Sequence, residues 1–540
     1  MKIIELQNYQ PSGRNYIMAR ETMWSLVLLL TTITITAEDM IDTVLDERKT
    51  LFNKELEMML GSSMKLSDSE LKANELLMAL KVEEIEKGLV HPKDFNLSKH
   101  FFQYKDIVKD TKLFQLIKKM PKGAVLHAHD TGILSPDYVL NLTYLENLYV
   151  SFDRKGNIRF LFSKTVPTVD LSCGCEWKLM SEVRAATGNV AKFDADIRKY
   201  FTIVIDNPNE VYTDINTVWQ KFQQYFITTE PLLTYKPVWE QYFYDTLVAM
   251  RDDNIMYFEI RSVLPQLYDL EGNTYDAIAT AESYKNVTEQ FKQDFPDFFG
   301  VKLIYAPLKV LDKSALHEYI RTAKEIKKLM PEFFAGFDLV GQEDIGAPLK
   351  DIVTELCDAG KDLDLFLHAG ETNWSGTSSD ENLFEAVVLG AKRIGHGFAL
   401  VKHPVLLEEV KKRGIAIEVN VVSNSVLKLV EDVRNHPLAA FLSQNLPVVL
   451  SSDDPGIWEA DPLSHDFYIA FVAISSRHAD LRLLKQLALN SLYYSTYPNK
   501  DKLVHEFEIR WTKFIDSVAK DQCNLLKYKL YKNIRFKNFT

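Results

Sequence analysis

Cysteine is scarce in this chain. There are four in 540 residues, which excludes a disulfide-dense scaffold. Positive charge is also short. With 63 Lys and Arg against 75 Asp and Glu the formal net charge is -12, so the footprint of a general nucleic-acid binder is missing. No apolar run reaches the roughly 20 residues that a membrane-spanning helix needs. Internal repeats and low-complexity linkers are absent. What remains is ordinary in bulk: 46% apolar and 26% charged residues exclude collagen-like and wholly disordered chains. The length exceeds one unit of about 100–200 residues, although barrels of about 250 fold as single domains.

An apolar segment without charge, Trp24 to Ala37, is flanked by Arg14 and Arg20 before it and by Glu38-Asp39 after it. A charged leader, a short apolar core and small residues at its end read as a secretory signal over 1–37. Translation from Met18 or Met23 would give it a conventional short leader. The competing reading is a buried helix or strand. Acceptor triplets for N-glycosylation at Asn96, Asn141, Asn286 and Asn373 fit secretion, while the one at Asn538 lies too near the end to be a good acceptor.

Residues 38–118 read as helical. Leu51, Leu56, Met59 and Leu60 recur at helical spacing, and Ser67-Asp-Ser-Glu70 forms a capping-box pattern ahead of Leu71, Leu76, Leu77 and Leu80. Such a region would pack on the main domain or mediate oligomerisation. From residue 119 the pattern changes and continues so to about 520. Eight short apolar runs alternate with amphipathic stretches: 124–127, 256–260, 302–305, 334–340, 363–367, 393–395, 416–419 and 448–450. Eight strands alternating with helices predict an α/β fold, a parallel (β/α)8 TIM barrel. The long gap after the first run predicts an inserted module over 142–205, which holds Cys173, Cys175 and Trp177.

In such a barrel the chemistry sits at the C-terminal ends of the strands. The first run ends in His127-Ala-His-Asp130, the fifth in His368-Ala-Gly-Glu-Thr372, the sixth in Ile394-Gly-His-Gly397 and the eighth in Ser451-Ser-Asp-Asp-Pro455. Strand alternation turns His127 and His129 to one side. With His368 and Asp453 they make a His3Asp set with a position left for water, suited to Zn2+, which acidifies a bound water. Glu371 lies on the turn after its strand and is free to exchange a proton with a substrate. His396 would orient or deprotonate the water, and Asp454 would accept from a substrate. The His-Glu-X-X-His helix of metalloproteases and the Pro-Cys-X-X-Cys signature of cytidine-type deaminases are both missing. The fourth run lacks the lysine that a bridged two-metal centre would use, so one metal is the simpler expectation.

These motifs resemble those of the adenosine deaminases, and most closely the secreted branch, the adenosine deaminase-related growth factors. Met120-Pro-Lys-Gly123, Val218-Trp-Gln-Lys-Phe222, Ala335-Gly-Phe-Asp-Leu-Val-Gly341, Arg393-Ile-Gly-His-Gly-Phe-Ala-Leu400, Ser423-Asn424, Arg434-Asn-His-Pro437 and Ser464-His-Asp-Phe-Tyr468 carry the likeness along with the four strand ends. It covers about 45–518. The resemblance implies hydrolytic deamination of adenosine and 2′-deoxyadenosine to inosine and ammonia, with one zinc held by His127, His129, His368 and Asp453. It further implies that Glu371 protonates purine N1, and that His396 acts as base and stabilises the developing alkoxide. By the same likeness Asp454 orients the water and contacts the substrate, Gly341 offers backbone to the purine, and Asp130 and Trp219 approach the ribose. A homodimer built by the N-terminal helices and a receptor-binding role for the insertion are implied as well.

Three features depart from the family pattern. The module's usual disulfide partner, near Leu148, is not a cysteine. Tyr305-Ala-Pro-Leu-Lys309 lacks a histidine found near the substrate in some relatives. The tail, 521–540, carries five basic residues and no acidic one from Lys527 onward, which reads as a solvated end or as an attachment to glycosaminoglycan. Two function classes follow: a secreted deaminase, or a receptor-binding signalling protein in which catalysis is secondary. An AMP or oligonucleotide deaminase would need a basic cluster near the motifs, and none is there.

Overall fold

Eight parallel strands form, seven of them at the apolar runs; the fifth run, 363–367, stands just ahead of its strand and is joined to the barrel through a bridge at Leu365. A computed structural model of the chain describes residues 39–153, 156–168, 175–310 and 312–537. The expected signal segment, Cys173 and Asn538 lie outside them. The chain divides into two units, Met1–Met58 and Met59–Thr540. Within the first, residues 39–58 form a helix on which Met40, Ile41, Val44, Leu45, Leu51 and Phe52 are exposed.

The second unit holds the barrel. Its strands are β1 (Gly123–His129), then, after the insertion strands β2 (Leu148–Phe152), β3 (Ile158–Phe162) and β4 (Lys178–Leu179), β5 (Ile255–Ser262). A small hairpin, β6 (Leu267–Tyr268) and β7 (Thr274–Tyr275), precedes β8 (Val301–Tyr305), β9 (Phe334–Phe337), β10 (His368–Ala369), β11 (Arg393–His396), β12 (Ala416–Val419) and β13 (Val448–Leu450). The barrel ladders run β1-β5-β8-β9 and β10-β11-β12-β13. Two parallel bridges join these halves, Phe337 with Leu365 and Ala128 with Asp453, so the ring closes. The fourth run is strand only to Phe337: the Asp338 N–H makes the last bond of the β8–β9 ladder, to the Tyr305 carbonyl, and pairing recurs once more as a bridge between Val340 and Leu308.

Strands buried on both faces read as unbroken apolar runs, because helices cover the outside. The helix Lys313–Leu329 shows how. Leu316, Ile320, Ala323 and Ile326 form one buried stripe, and Asp312 caps its start by accepting from the Ser314 N–H. Each of the larger side chains in that stripe contributes about 1.5–3 kcal/mol by leaving water. A charge at Ile320 would break the contact.

The capping-box pattern is realised. Ser67 starts the helix Asp68–Val90, Glu70 N–H donates to Ser67 Oγ at 3.3 Å, and the Ser67 N–H donates to Glu70 Oε2 at 2.8 Å. Leu77 is buried, whereas Leu71 faces solvent. Short 3-10 turns, beginning at Pro92 and ending at Asp110, follow before the helix Lys112–Lys119 leads into β1. The insertion is an antiparallel sheet of order β3-β2-β4 with helices Met180–Ala186 and Val190–Arg198. Cys175 within it is disulfide-bonded, although the family's usual partner position near Leu148 holds no cysteine. At the far end a helix over Lys500–Lys537 takes in most of the basic tail.

Candidate active site

Side chains from the C-terminal ends of β1, β10, β11 and β13 converge. His127 Nε2 and His129 Nε2 stand 3.3 and 3.1 Å from Asp453 Oδ1. The rings of His127 and His368 are 4.6 Å apart between centroids, and those of His368 and His396 5.1 Å. A register shift in β1 between Val125 and Ala128 adjusts the local pairing next to the two histidines. His396 and Asp453 both adopt left-handed backbone, with φ of 59° and 60°. That conformation costs on the order of 1–3 kcal/mol each and is held by the surrounding barrel.

Two groups of atoms here are close enough to hold one cation, each within 4.8 Å: His127, His129 and Asp453, and His127, His368 and His396. His127 Nε2 and Asp453 Oδ1 are buried and make no hydrogen bond. Buried polar atoms normally find partners, so these two are aimed at something else. At His127 and His368 the other ring nitrogen is occupied. His127 Nδ1 meets Glu418 at 2.8 Å and His368 Nδ1 meets Asp338 at 2.7 Å. A carboxylate only accepts, so each Nδ1 carries the proton and each Nε2 lone pair is left for a metal.

Beneath the histidines lies a layer of charge inside the barrel. Arg261 donates to Asp338 at 2.8 Å and to Glu418 at 2.6 Å; Arg393 donates to Glu418 and to Glu259, both at 2.6 Å. All five side chains are buried. Two guanidinium groups therefore face four carboxylates once Asp453 is included, an excess of two negative charges that suits a divalent ion. Burial works to raise the Asp338 and Glu418 carboxyls, but His368 and Arg261 hold the first, and Arg261, Arg393 and His127 hold the second, well below the usual range. These residues were not singled out from sequence as parts of the site. A signal for them existed: Glu259, Arg261 and Glu418 are charges inside otherwise apolar strand runs.

Glu371 and His396 face each other across 3.4 Å. Burial, with Asp453 and Glu343 nearby, pushes the Glu371 carboxyl well up, toward its protonated form. Burial drives His396 the other way and keeps it neutral. The Glu371 backbone N–H donates to Glu343 at 2.6 Å, and Lys309 and Asn382 secure the other Glu343 oxygen at 2.8 and 3.0 Å. Ser423 donates to Asp453 Oδ2 at 2.7 Å. Asp454 is buried, with Oδ1 unpartnered and its carboxyl raised by burial and by Asp453 and Asp130.

The remaining sequence candidates are placed as follows. Asp130 is nearly buried and accepts from Tyr284 at 2.7 Å and from the Thr131 N–H at 2.8 Å. Trp219 lies buried on the helix Ile215–Leu233 against Phe222. Gly341 has φ +125°, and a Cβ there would meet nothing within 4 Å, so its backbone borders open space. Asn141, Asn286 and Asn373 are exposed, while Asn96 is half-buried and accepts from Lys99 at 3.1 Å. No helix among the described residues is long and apolar enough to cross a membrane.

The profile of the family described as "Adenosine deaminase" matches residues 198–508, and that described as "Adenosine/AMP deaminase N-terminal" matches 24–117. An "Adenosine deaminase" of Aedes albopictus is 44% identical over 464 residues, covering 85% of each chain. "Adenosine deaminase 2" of Homo sapiens is 40% identical over 480 residues, covering 88% of this chain and 94% of the relative. Among solved structures, an N6-mAMP deaminase of Arabidopsis shares the fold with a TM-score of 0.52 at 17% identity, over 73% of this chain and 99% of the other.

Proposed function

The chain belongs to the adenosine deaminase family, and on that footing we propose that it hydrolyses adenosine, and 2′-deoxyadenosine, to inosine and ammonia. The observation that carries this reading is the buried Glu371 carboxyl facing the buried His396 ring at 3.4 Å, beside the histidine–aspartate cluster. His127, His129, His368 and Asp453 would hold one Zn2+; the free Nε2 atoms, the orphaned Asp453 oxygen and the excess of negative charge fit it. Bound there, zinc supplies an acidified water as nucleophile.

The chain's own groups do the rest. Glu371 gives its proton to purine N1 as a water oxygen adds to C6. The C6–N6 bond then breaks, and the amino group leaves as ammonia with the hydroxyl proton of the adduct. The other water proton returns to Glu371. His396 faces the incoming oxygen and supports the charge that grows on it. Asp454, with a bare oxygen, positions the water and the substrate. Gly341, lacking a side chain on open backbone, leaves room for the purine edge, and Asp130 and Trp219 border the ribose. Burial of the whole set excludes bulk water and strengthens each of these interactions.

Secretion through the 1–37 segment, glycosylation at exposed sequons, and a homodimer built through the apolar face of the helix over 39–58 complete the proposal. A growth-factor-like role through a receptor at the insertion, or glycosaminoglycan binding by the tail, is compatible with catalysis. The test is the fall in purine absorbance when purified protein meets adenosine, with and without chelator. Glu371→Gln should abolish turnover while leaving metal bound. A folded, zinc-replete wild type without turnover would sink the proposal, and a near-normal Glu371→Gln would remove Glu371 from its role.

A further inference from the structure

His396 differs from the metal-facing histidines in what meets Nδ1. At His127 and His368 it is a carboxylate, but at His396 it is the side-chain amide of Asn424, 3.2 Å away. Which end of that amide faces the ring is decided further out. The Leu438 backbone N–H donates to His436 Nδ1 at 2.9 Å, so Nδ1 of His436 is the bare nitrogen. Burial, which lowers the His436 pKa to about 3, keeps a second proton off it. Nε2 of His436 must then carry the proton and donate, and the Asn424 atom 3.0 Å away is the carbonyl oxygen. The NH2 of Asn424 consequently points at His396 Nδ1 and donates to it. Glu371 Oε1 lies farther from that nitrogen, at 3.4 Å, and burial raises its carboxyl toward the protonated form, which donates rather than accepts.

We propose that Asn424 and His436 form a relay that locks His396 as the Nε2–H tautomer, so that His396 meets the reacting oxygen as a hydrogen-bond donor. Its Nε2 then has no lone pair for a metal, although it lies close to His127 and His368. Of the two jobs the family resemblance gives this histidine, base and stabiliser of the alkoxide, the relay favours the second in the resting enzyme. Asn424 and His436 are positioning residues: all three side chains are buried, and neither Asn424 nor His436 needs to touch substrate. The catalytic meaning rests on the deaminase reading above; the tautomer itself does not.

The direct test is nitrogen NMR of the zinc-loaded protein with 15N-labelled histidine, the His396 signals being assigned by their loss in His396→Gln. A protonated Nε2 with a bare Nδ1 is expected, and a protonated Nδ1 would overturn the proposal. Kinetics give a second test. Asn424→Asp replaces the donor with an acceptor and draws the proton to Nδ1. Imposing a wrong tautomer on a catalytic histidine costs up to about 10^4 in kcat, so a fall of about 10^2–10^4 is expected with KM and metal content nearly unchanged. His436→Gln, which can still accept from Leu438 and donate to Asn424, should keep kcat within about fivefold, whereas His436→Leu should not. A wild-type kcat in Asn424→Asp, or a change confined to KM, would refute the relay. If Asn424→Asp does not fold, the wild-type NMR tautomer decides alone. If the wild type turns over no nucleoside, the deaminase reading fails while the NMR result still judges the relay.

Discussion

Glu418→Gln probes the charge layer beneath the site. The Glu418 carboxylate is wholly buried and accepts from Arg261 and Arg393, each at 2.6 Å, and from His127 at 2.8 Å. Glutamine keeps the volume, so no cavity confuses the result. It removes the charge, however, and turns an NH2 toward at least one of three donors. Breaking a buried ion pair from one side costs about 3–5 kcal/mol, because the surviving charge stays buried. That is a large share of the roughly 5–15 kcal/mol that holds a folded protein together. Urea unfolding should be compared on chelator-treated protein, so that metal binding adds nothing to the difference. A loss of about 3–5 kcal/mol is expected there. Metal titration of the same variant should show affinity reduced about 10–100-fold, because His127 loses the partner that orients it. At saturating metal kcat should largely recover, since Glu418 lies below the reacting groups. A destabilisation under about 1 kcal/mol would refute the described charge network. Unchanged metal affinity alongside a full loss of stability would refute the orienting role alone.

Three further outcomes are expected. Chelation should abolish turnover and lower the thermal midpoint, since an ion at a thousandfold excess over its Kd stabilises by about 4 kcal/mol; calorimetry with zinc readdition checks both. Gly132→Ala would place a Cβ 2.0 Å from Asp454 Oδ1, and the displaced carboxyl should cost on the order of 10^2 in kcat/KM in a protein that still folds. Asp466 is buried, accepts from the Val422 N–H at 3.0 Å and has its pKa raised to about 8 by burial. Because the folded state then keeps a proton that the unfolded chain releases near 3.8, stability falls as pH rises from there toward about 8. Asp466→Asn removes that slope, so its unfolding free energy from urea titration should gain on wild type across the window by up to about 1.4 kcal/mol per pH unit, and parallel curves would show that Asp466 titrates normally.

The strands were readable because strand period and burial are local. Each apolar run from 124–127 to 448–450 corresponds to a barrel strand or to a segment bridged into one. Exact ends were less readable. The fourth run continues in apolar residues to Val340, yet the strand ends at Phe337, and Asp338 just past that end sends its carboxylate to His368 and Arg261. The candidate site residues were visible because the motifs stand at strand ends, and the barrel gathers those ends at one face. Cys175 shows the opposite case: its bonding could not be read from its neighbours in sequence.

By itself the sequence determined the barrel, the insertion after β1, and the residue types that meet at the strand ends, since these follow from periodicity and from the closure rule of one fold. Only the tertiary structure decided what stands behind each of those residues. Glu418, Asp338, Arg261, Arg393, Asn424 and His436 come from separate segments of chain, and nothing local says which of them will meet. Their hydrogen bonds nonetheless set where the protons lie on His127, His368 and His396. Three histidines of identical chemistry thereby acquire different faces, two with a bare Nε2 and one with an Nε2–H, because a carboxylate accepts and an amide nitrogen donates.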